Sequence, residues 1–230
     1  MGRTINPEIS IIVPTLNEKE NLSRLLSSLF AWQELGDEVI LVDGGSSDDT
    51  LKQAKSADIV IETGRGRGIQ MNIGTTRCSG RILWFLHADS TLQFHAREDI
   101  LDSISQGFEW GYFDVRIDAS ERMYRVIERG MNLRSRYTRI ATGDQGMFVT
   151  KSLFDKVGGF KDIPLMEDVD LSKRLRMLGR PAICQTTITT SPRRWRQGGI
   201  FRTILTMWFL RLAWFFGIPA ERLAKIYDDG

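Results

Sequence analysis

Short apolar runs that end in acidic, glycine-bearing turns constrain this chain more than any other feature. Residues 38–42 run straight into Asp43-Gly44-Gly45-Ser46, and residues 82–86 run into His87-Ala88-Asp89. Continuous apolar runs of this length read as strands buried on both faces, the pattern of a parallel sheet covered by helices. A carboxylate at the carboxyl end of such a strand projects into the crevice where open α/β sheets hold ligands. A third acidic cluster, Met166-Glu167-Asp168-Val169-Asp170, opens a helical pattern further on. Carboxylates that converge on one cleft are costly unless a cation, a base edge or a proton lies between them. The pattern therefore points to metal and diphosphate chemistry.

The alternation of elements predicts an α/β fold. Residues 9–13 form a β-branched first strand, and Asn17 with Glu20 three residues later reads as a helix start. Leu22, Leu25, Leu26, Leu29 and Phe30 then follow helical spacing. A strand at 38–42, a short helix to Lys55, a strand at 58–62, a helix at 69–76 and a strand at 81–86 complete a mostly parallel sheet with helices on both faces. After Asp89 the spacing predicts helices at 97–106, 121–137 and 168–178 and strands at 110–117, 146–150 and 186–190. One long Trp-rich C-terminal helix ends the chain. No repeat, linker or low-complexity stretch interrupts it.

Composition narrows the class. Apolar residues at 42% and charged residues at 26% fit a globular protein with a substantial core. The 31 basic and 29 acidic residues leave a net charge of +2, so no electrostatic footprint marks nucleic acid as a partner. Two cysteines, Cys78 and Cys184, lie far apart without Cys-x-x-Cys spacing, which argues against a disulfide framework or zinc site and for a reducing cytoplasm. No secretory signal is visible, and the apolar region 204–219 is broken by Arg211, too short and too charged for a membrane span.

Two motifs, Val13-Pro14-Thr15-Leu16-Asn17-Glu18 and Val42-Asp43-Gly44-Gly45-Ser46-Ser47-Asp48-Asp49-Thr50, resemble in content and separation the opening of the family 2 glycosyltransferases. Read bare, the first is also a turn and helix cap, and the second an acidic turn whose glycines let backbone approach a ligand. The resemblance implies a GT-A fold (Rossmann-like, with a helical C-terminal extension here) and a nucleotide-sugar donor, with a lean towards UDP. It assigns Pro14, Asn17, Glu18 and Asp43 to nucleoside binding, Asp43 taking the base. It also divides a single domain, 1–230, into a nucleotide-sugar half (8–95), an acceptor half (96–195) and a helical tail (196–230).

Further motifs match in order. Gly64-Arg65-Gly66-Arg67-Gly68 through Asn72-Ile73-Gly74 resembles the family's donor-side glycine segment and implicates Arg67 and Asn72. His87-Ala88-Asp89 stands where the family carries Asp-x-Asp. Asp89 is then the expected ligand of a divalent cation, Mg²⁺ or Mn²⁺, while His87 replaces the first Asp and either binds metal, binds donor or hydrogen-bonds within the cleft. Gly143-Asp144-Gln145-Gly146 corresponds to an acceptor-facing segment, giving Asp144 and Gln145. Gly158-Gly159-Phe160 followed by Glu167-Asp168-Val169-Asp170-Leu171 resembles the segment bearing the general base, with Asp168 the base and Glu167 the alternate. Arg193-Arg194-Trp195 resembles an Arg-Trp motif, with Arg194 for the diphosphate and Trp195 for a sugar face.

The implied reaction is an inverting, metal-assisted transfer to a hydroxyl of a small-molecule, glycan or lipid acceptor. Two alternatives are a nucleotidyltransferase, which expects a Gly-rich loop and Lys where 14–18 has neither, and a non-catalytic nucleotide-binding or membrane-adaptor protein. In the tail, Trp208, Leu212 and Phe215 share a helical face. That stripe reads as core, as a homodimer face, or as a peripheral contact with the cytoplasmic face of a membrane.

Overall fold

A computed structural model describes residues 7–228 of the chain, so the two ends of the 1–230 domain, 1–6 and 229–230, lie outside the described residues. Strands β1 (Ile9–Thr15), β2 (Glu38–Asp43), β3 (Ile59–Glu62), β4 (Ile82–Phe85), β5 (Trp110–Ile117), β6 (Phe148–Thr150) and β7 (Ala182–Thr190) form one sheet in the order β3-β2-β1-β4-β6-β5-β7. Only β6 runs against its neighbours, pairing antiparallel with β4 and β5, while the other pairings are parallel. The carboxyl ends of β1, β2 and β4 therefore open on the same edge as the chain entering β6.

Strand pleating explains the two-sided core. Ile9, Ile11, Val13, Leu41 and Trp84 point to one face, against α1 (Leu22–Glu34) and α4 (Ala96–Ser105). Ile12, Ile40, Val42, Leu83 and Phe85 point to the other, against α3 (Arg67–Thr75), α6 (Lys151–Lys156) and α7 (Glu167–Leu178). Every residue of β1 is buried, as a parallel central strand requires. The helices α2 (Thr50–Gln53) and α5 (Arg122–Thr138) complete this part.

Several expectations are corrected. Asn17 is not the cap of α1. It takes a left-handed φ of 55°, and the helix starts five residues later at Leu22. The single C-terminal helix is three: α8 (Arg193–Gly198), α9 (Ile200–Phe215) and α10 (Ala220–Asp228). Gly199, at φ 75°, makes the first break, and Gly217-Ile218-Pro219 makes the second.

The tail folds back rather than trailing. Leu210 and Ala213 of α9 and Leu223 of α10 pack on Leu165, Met166 and Val169 around the start of α7. The stripe of Trp208, Leu212 and Phe215 instead faces outward, exposed together with Phe201 and Leu205, so it is not core. Among the described residues no helix is long and apolar enough to cross a membrane.

Candidate active site

The turns after β1 and β2 are stitched together by their own side chains. Asn17 Oδ1 accepts from the Ser47 backbone N–H at 2.9 Å, and Ser46 Oγ accepts from the Asn17 N–H at 2.8 Å. Pro14 is buried within β1, and Glu18 receives Arg193 Nη2 at 2.7 Å. Asp43 is fully buried, and its carboxylate accepts from the Gly45 and Ser46 N–H groups at 3.0 and 2.7 Å and from Thr15 Oγ1 at 3.1 Å. The sequence points to Asp43 for the nucleobase, but its oxygens are engaged in fixing this turn. Stranding these buried donors is costly, so Asp43→Ala should destabilise the fold by at least about 2 kcal/mol. A urea melt measures it, and an unchanged midpoint would show the turn holds without the carboxylate.

Asn72 and Gln145 likewise serve the framework. Asn72 Nδ2 donates to Phe160 O at 2.8 Å and its Oδ1 accepts from Phe160 N at 2.9 Å, which clamps α3 to the Gly158-Gly159-Phe160 turn. Gln145 is fully buried. Its Oε1 accepts from Ser135 Oγ at 2.7 Å and from Thr142 N, and its Nε2 donates to Phe113 O. Gln145 thus offers nothing to an acceptor. Trp195 is partly buried, packed against an apolar cluster of Ile117, Tyr124 and Ile127. Arg194 stacks on Tyr227 of α10, 4.0 Å from the ring centroid. The neighbouring Arg193 is the one that turns to the cleft, beside Glu18 and within the field of Asp89.

The remaining candidates converge. A small cavity is lined by His87 beyond β4, by Gly143 and Met147 on the way into β6, and by Glu167 and Asp168 at the start of α7. Gly143 has no room for a side chain because the His87 ring lies against it. Its N–H donates to Asp168 Oδ2 at 2.7 Å, and the Val169 N–H donates to Oδ1 at 2.7 Å. Asp168 is therefore held at both oxygens by backbone, with further lone-pair sites left open. Met166, just before the pair of acids, sits at φ 68°, a strained position for a residue with a side chain.

Arg67 opens α3 and its Nε meets Glu167 Oε1 at 2.9 Å. Gly68 permits that approach, since a Cβ there would come within 2.8 Å of Lys161 O. Burial works against the Arg67 charge, but Glu167, Asp168 and Asp144 together raise its pKa. For Glu167 burial dominates over Arg67 and pushes the carboxyl up to about 7, and its second oxygen is buried without a partner.

A proton held by the folded chain and released by the unfolded one costs stability as pH rises. The ordinary glutamate value is 4.5, so Glu167 should lower stability progressively between about 4.5 and about 7. The variant Glu167→Gln should lack that part of the slope in denaturant titrations run from pH 4 to pH 8. Parallel curves for the two proteins would refute the assignment.

Asp89 and Asp144 are half-buried carboxylates, and among the described residues neither has a hydrogen-bond or ion-pair partner. Burial raises the Asp89 pKa, opposed by His87, and Glu18 and Asp144 raise it further. Among the described residues no group of three His, Cys, Asp or Glu side chains could hold a metal by itself. An unpartnered carboxylate beside an imidazole and two more acids nonetheless fits a hard cation that takes one or two protein ligands and completes its shell with phosphates and water. Two arginines absent from any motif, Arg134 of α5 and Arg211 of α9, also lie within the field of Asp144 and Asp168. A larger open groove of about 650 Å³, lined by Arg24, Arg116 and Arg196, lies apart from the small cavity.

Known proteins share this arrangement of elements. The chain is 24% identical over 250 residues to the uncharacterized glycosyltransferase Rv1514c of Mycobacterium tuberculosis, covering 99% of this chain and 92% of that one. It is 24% identical to a beta-monoglucosyldiacylglycerol synthase of Synechocystis, over 88% of this chain and 50% of the other. Among solved structures, Staphylococcus aureus TarS residues 1–349 match with TM-score 0.65 at 18% identity, over 80% of this chain and 58% of that one. The mannosyltransferase PcManGT of Pyrobaculum calidifontis matches with TM-score 0.63 at 19% identity, over 91% and 62%. The chain thus spans about three fifths of these solved chains, whose likeness shows the fold. The model of Glycosyl transferase family 2 matches residues 10–161, more than half of the chain and the stretch that carries both stitched turns, Arg67, Asp89 and Asp144. On that match the chain belongs to glycosyltransferase family 2 and is a glycosyltransferase.

Proposed function

We propose that the chain moves a sugar from a nucleoside-diphosphate sugar, with uridine the favoured base, to an acceptor hydroxyl with inversion at the anomeric carbon. One observation carries the reading: His87, Glu167 and Asp168 line one cavity at the carboxyl edge of the sheet, with the unpaired Asp89 and Asp144 in the same electrostatic cluster. Similar structures support the donor class. PcManGT is described with GDP-Man and Mn²⁺, TarS with UDP-GlcNAc, and a glucosyl-3-phosphoglycerate synthase of Mycobacterium tuberculosis with Mg²⁺ and UDP. Membership of a glycosyltransferase family displaces the nucleotidyltransferase and adaptor alternatives.

Asp168 takes the proton of the acceptor hydroxyl as that oxygen attacks from the face opposite the diphosphate. Asp89, with His87 beside it, would hold the divalent cation. When bound there, Mg²⁺ or Mn²⁺ supplies positive charge to the departing diphosphate. Arg67, anchored on Glu167, and Arg193, anchored on Glu18, add fixed positive charge on either flank. Asp144 orients the acceptor, and the turns holding Pro14, Asn17 and Asp43 form the floor for the nucleoside. The exposed apolar face of α9 supports a peripheral contact, with a membrane surface or with a second copy of the chain.

Thermal-shift screening of UDP-, GDP- and dTDP-sugars with Mg²⁺ or Mn²⁺ tests the reading. Metal-dependent stabilisation by at least one nucleotide sugar is expected, and its absence for every donor would contradict it.

A further inference from the structure

We infer that α9, with α5 beside it, seats the protein on the surface of an anionic phospholipid bilayer. Phe201, Leu205, Trp208, Leu212, Phe215 and Phe216 of this region are each 58–74% exposed. At 3.6 residues per turn the six fall within an arc of about 100°, so they form one continuous apolar stripe and not scattered surface positions. The same spacing puts Arg202, which is exposed, at one edge of the arc and the partly exposed Arg211 at the other. Leu210 and Ala213 occupy the opposite side of the helix and pack on Leu165, Met166 and Val169.

Helix α5 adds a second stripe. Val126, Leu133 and Tyr137 are exposed along one of its faces, with the exposed Arg122 and Arg129 beside them. The two helices are neighbours, since Ile200 and Ile204 of α9 pack against the cluster that holds Tyr124 and Ile127 of α5. Aromatic and aliphatic side chains edged by arginine are the pattern of helices that lie in the headgroup layer. Their apolar stripe enters the acyl boundary while the long cationic side chains reach lipid phosphates.

Charge decides what covers this face. Between Asp170 and Glu221 the sequence holds nine Lys and Arg and no Asp or Glu. A second copy seated by two-fold symmetry would set the same arginines against each other, with no carboxylate on α8 or α9 to answer them. A neutral bilayer takes up the apolar stripe but leaves the arginines unanswered, whereas anionic headgroups match both. Because the stripe lies opposite the side packed on the start of α7, docking leaves the bilayer about one helix diameter, roughly 10–12 Å, from the turn that carries Asp168. Docking needs no transfer chemistry, so it stands or falls apart from the function proposed above.

The test sediments the full chain with vesicles of phosphatidylcholine containing phosphatidylglycerol, and with vesicles of phosphatidylcholine alone. The wild type should bind the anionic vesicles at least about tenfold more tightly than the neutral ones, and added salt should weaken that binding. The double variant Trp208→Ser/Phe215→Ser should lose at least about tenfold in affinity for the anionic vesicles. Arg202→Gln should lose about fivefold. All three side chains are exposed, so neither variant should melt below wild type. No binding by wild type, equal affinity for the two kinds of vesicle, or equal binding by wild type and the double variant overturns the inference. So does a dimer seen by sedimentation velocity without lipid, in place of vesicle binding, that the double variant dissolves, because the face then belongs to a second copy.

Discussion

Replacing Asp168 with Asn should lower kcat by about 10²–10⁴, the range for losing a positioned acid–base group, while nucleotide binding stays at the wild-type level. The substitution is nearly isosteric, and the amide oxygen can still accept one of the two backbone N–H groups, from Gly143 and Val169, that hold the carboxylate. What disappears is the capacity to receive a proton. Glu167→Gln gives the necessary contrast. Glu167 is buried and engaged with Arg67, so its loss should disturb positioning and the pH dependence of stability more than the chemical step. Steady-state rates of nucleotide release in the presence of acceptor distinguish the two. If Asp168→Asn turns over like wild type while Glu167→Gln is dead, the base is Glu167.

Asp89→Asn should cost about 10²–10³ in kcat, comparable with removing one group aimed at developing charge in a transition state. It should also raise the Mn²⁺ concentration needed for half-maximal rate. The same variant has an opposite effect on the metal-free protein. Burial raises the Asp89 pKa, so above that pKa the folded state carries an ionised carboxylate beside Glu18 and Asp144 at a cost. Asp89→Asn removes the cost, and metal-free stability at neutral pH should rise rather than fall. A variant that is both less active and less stable would mean that Asp89 serves the fold and not the cation.

The framework was legible because its signals are local. Continuous apolar runs with acidic ends give β2 and β4, and alternation gives β5 with the bounds it has in the structure, Trp110–Ile117. Helix α6 escapes notice because Lys151–Lys156 is too short for periodicity to register, and only the Thr150 cap marks its start. The tail carried its own punctuation in Gly199 and Gly217-Ile218-Pro219, which outweighs the apolar run across them.

The roles of polar residues were harder to read. Asp43, Asn72 and Gln145 stand in motifs, yet which hydrogen-bond partners they meet depends on strands and turns distant in sequence. Arg211 looks like a solvated helix position, yet its neighbours Leu210 and Ala213 pack on Val169 and leave it only partly exposed. Arg193 and Arg194 are adjacent in sequence, and only the docking of α10 decides that Arg194 meets Tyr227 while Arg193 meets Glu18.

A crystal structure with an unreactive UDP-sugar analogue and Mn²⁺ addresses the central claim directly. The account predicts the diphosphate beside Asp89 and Arg193, with the anomeric carbon directed towards the cavity that His87 and Asp168 share. A nucleotide seated instead in the groove of Arg24, Arg116 and Arg196, with its sugar beyond the reach of Asp168, would contradict it.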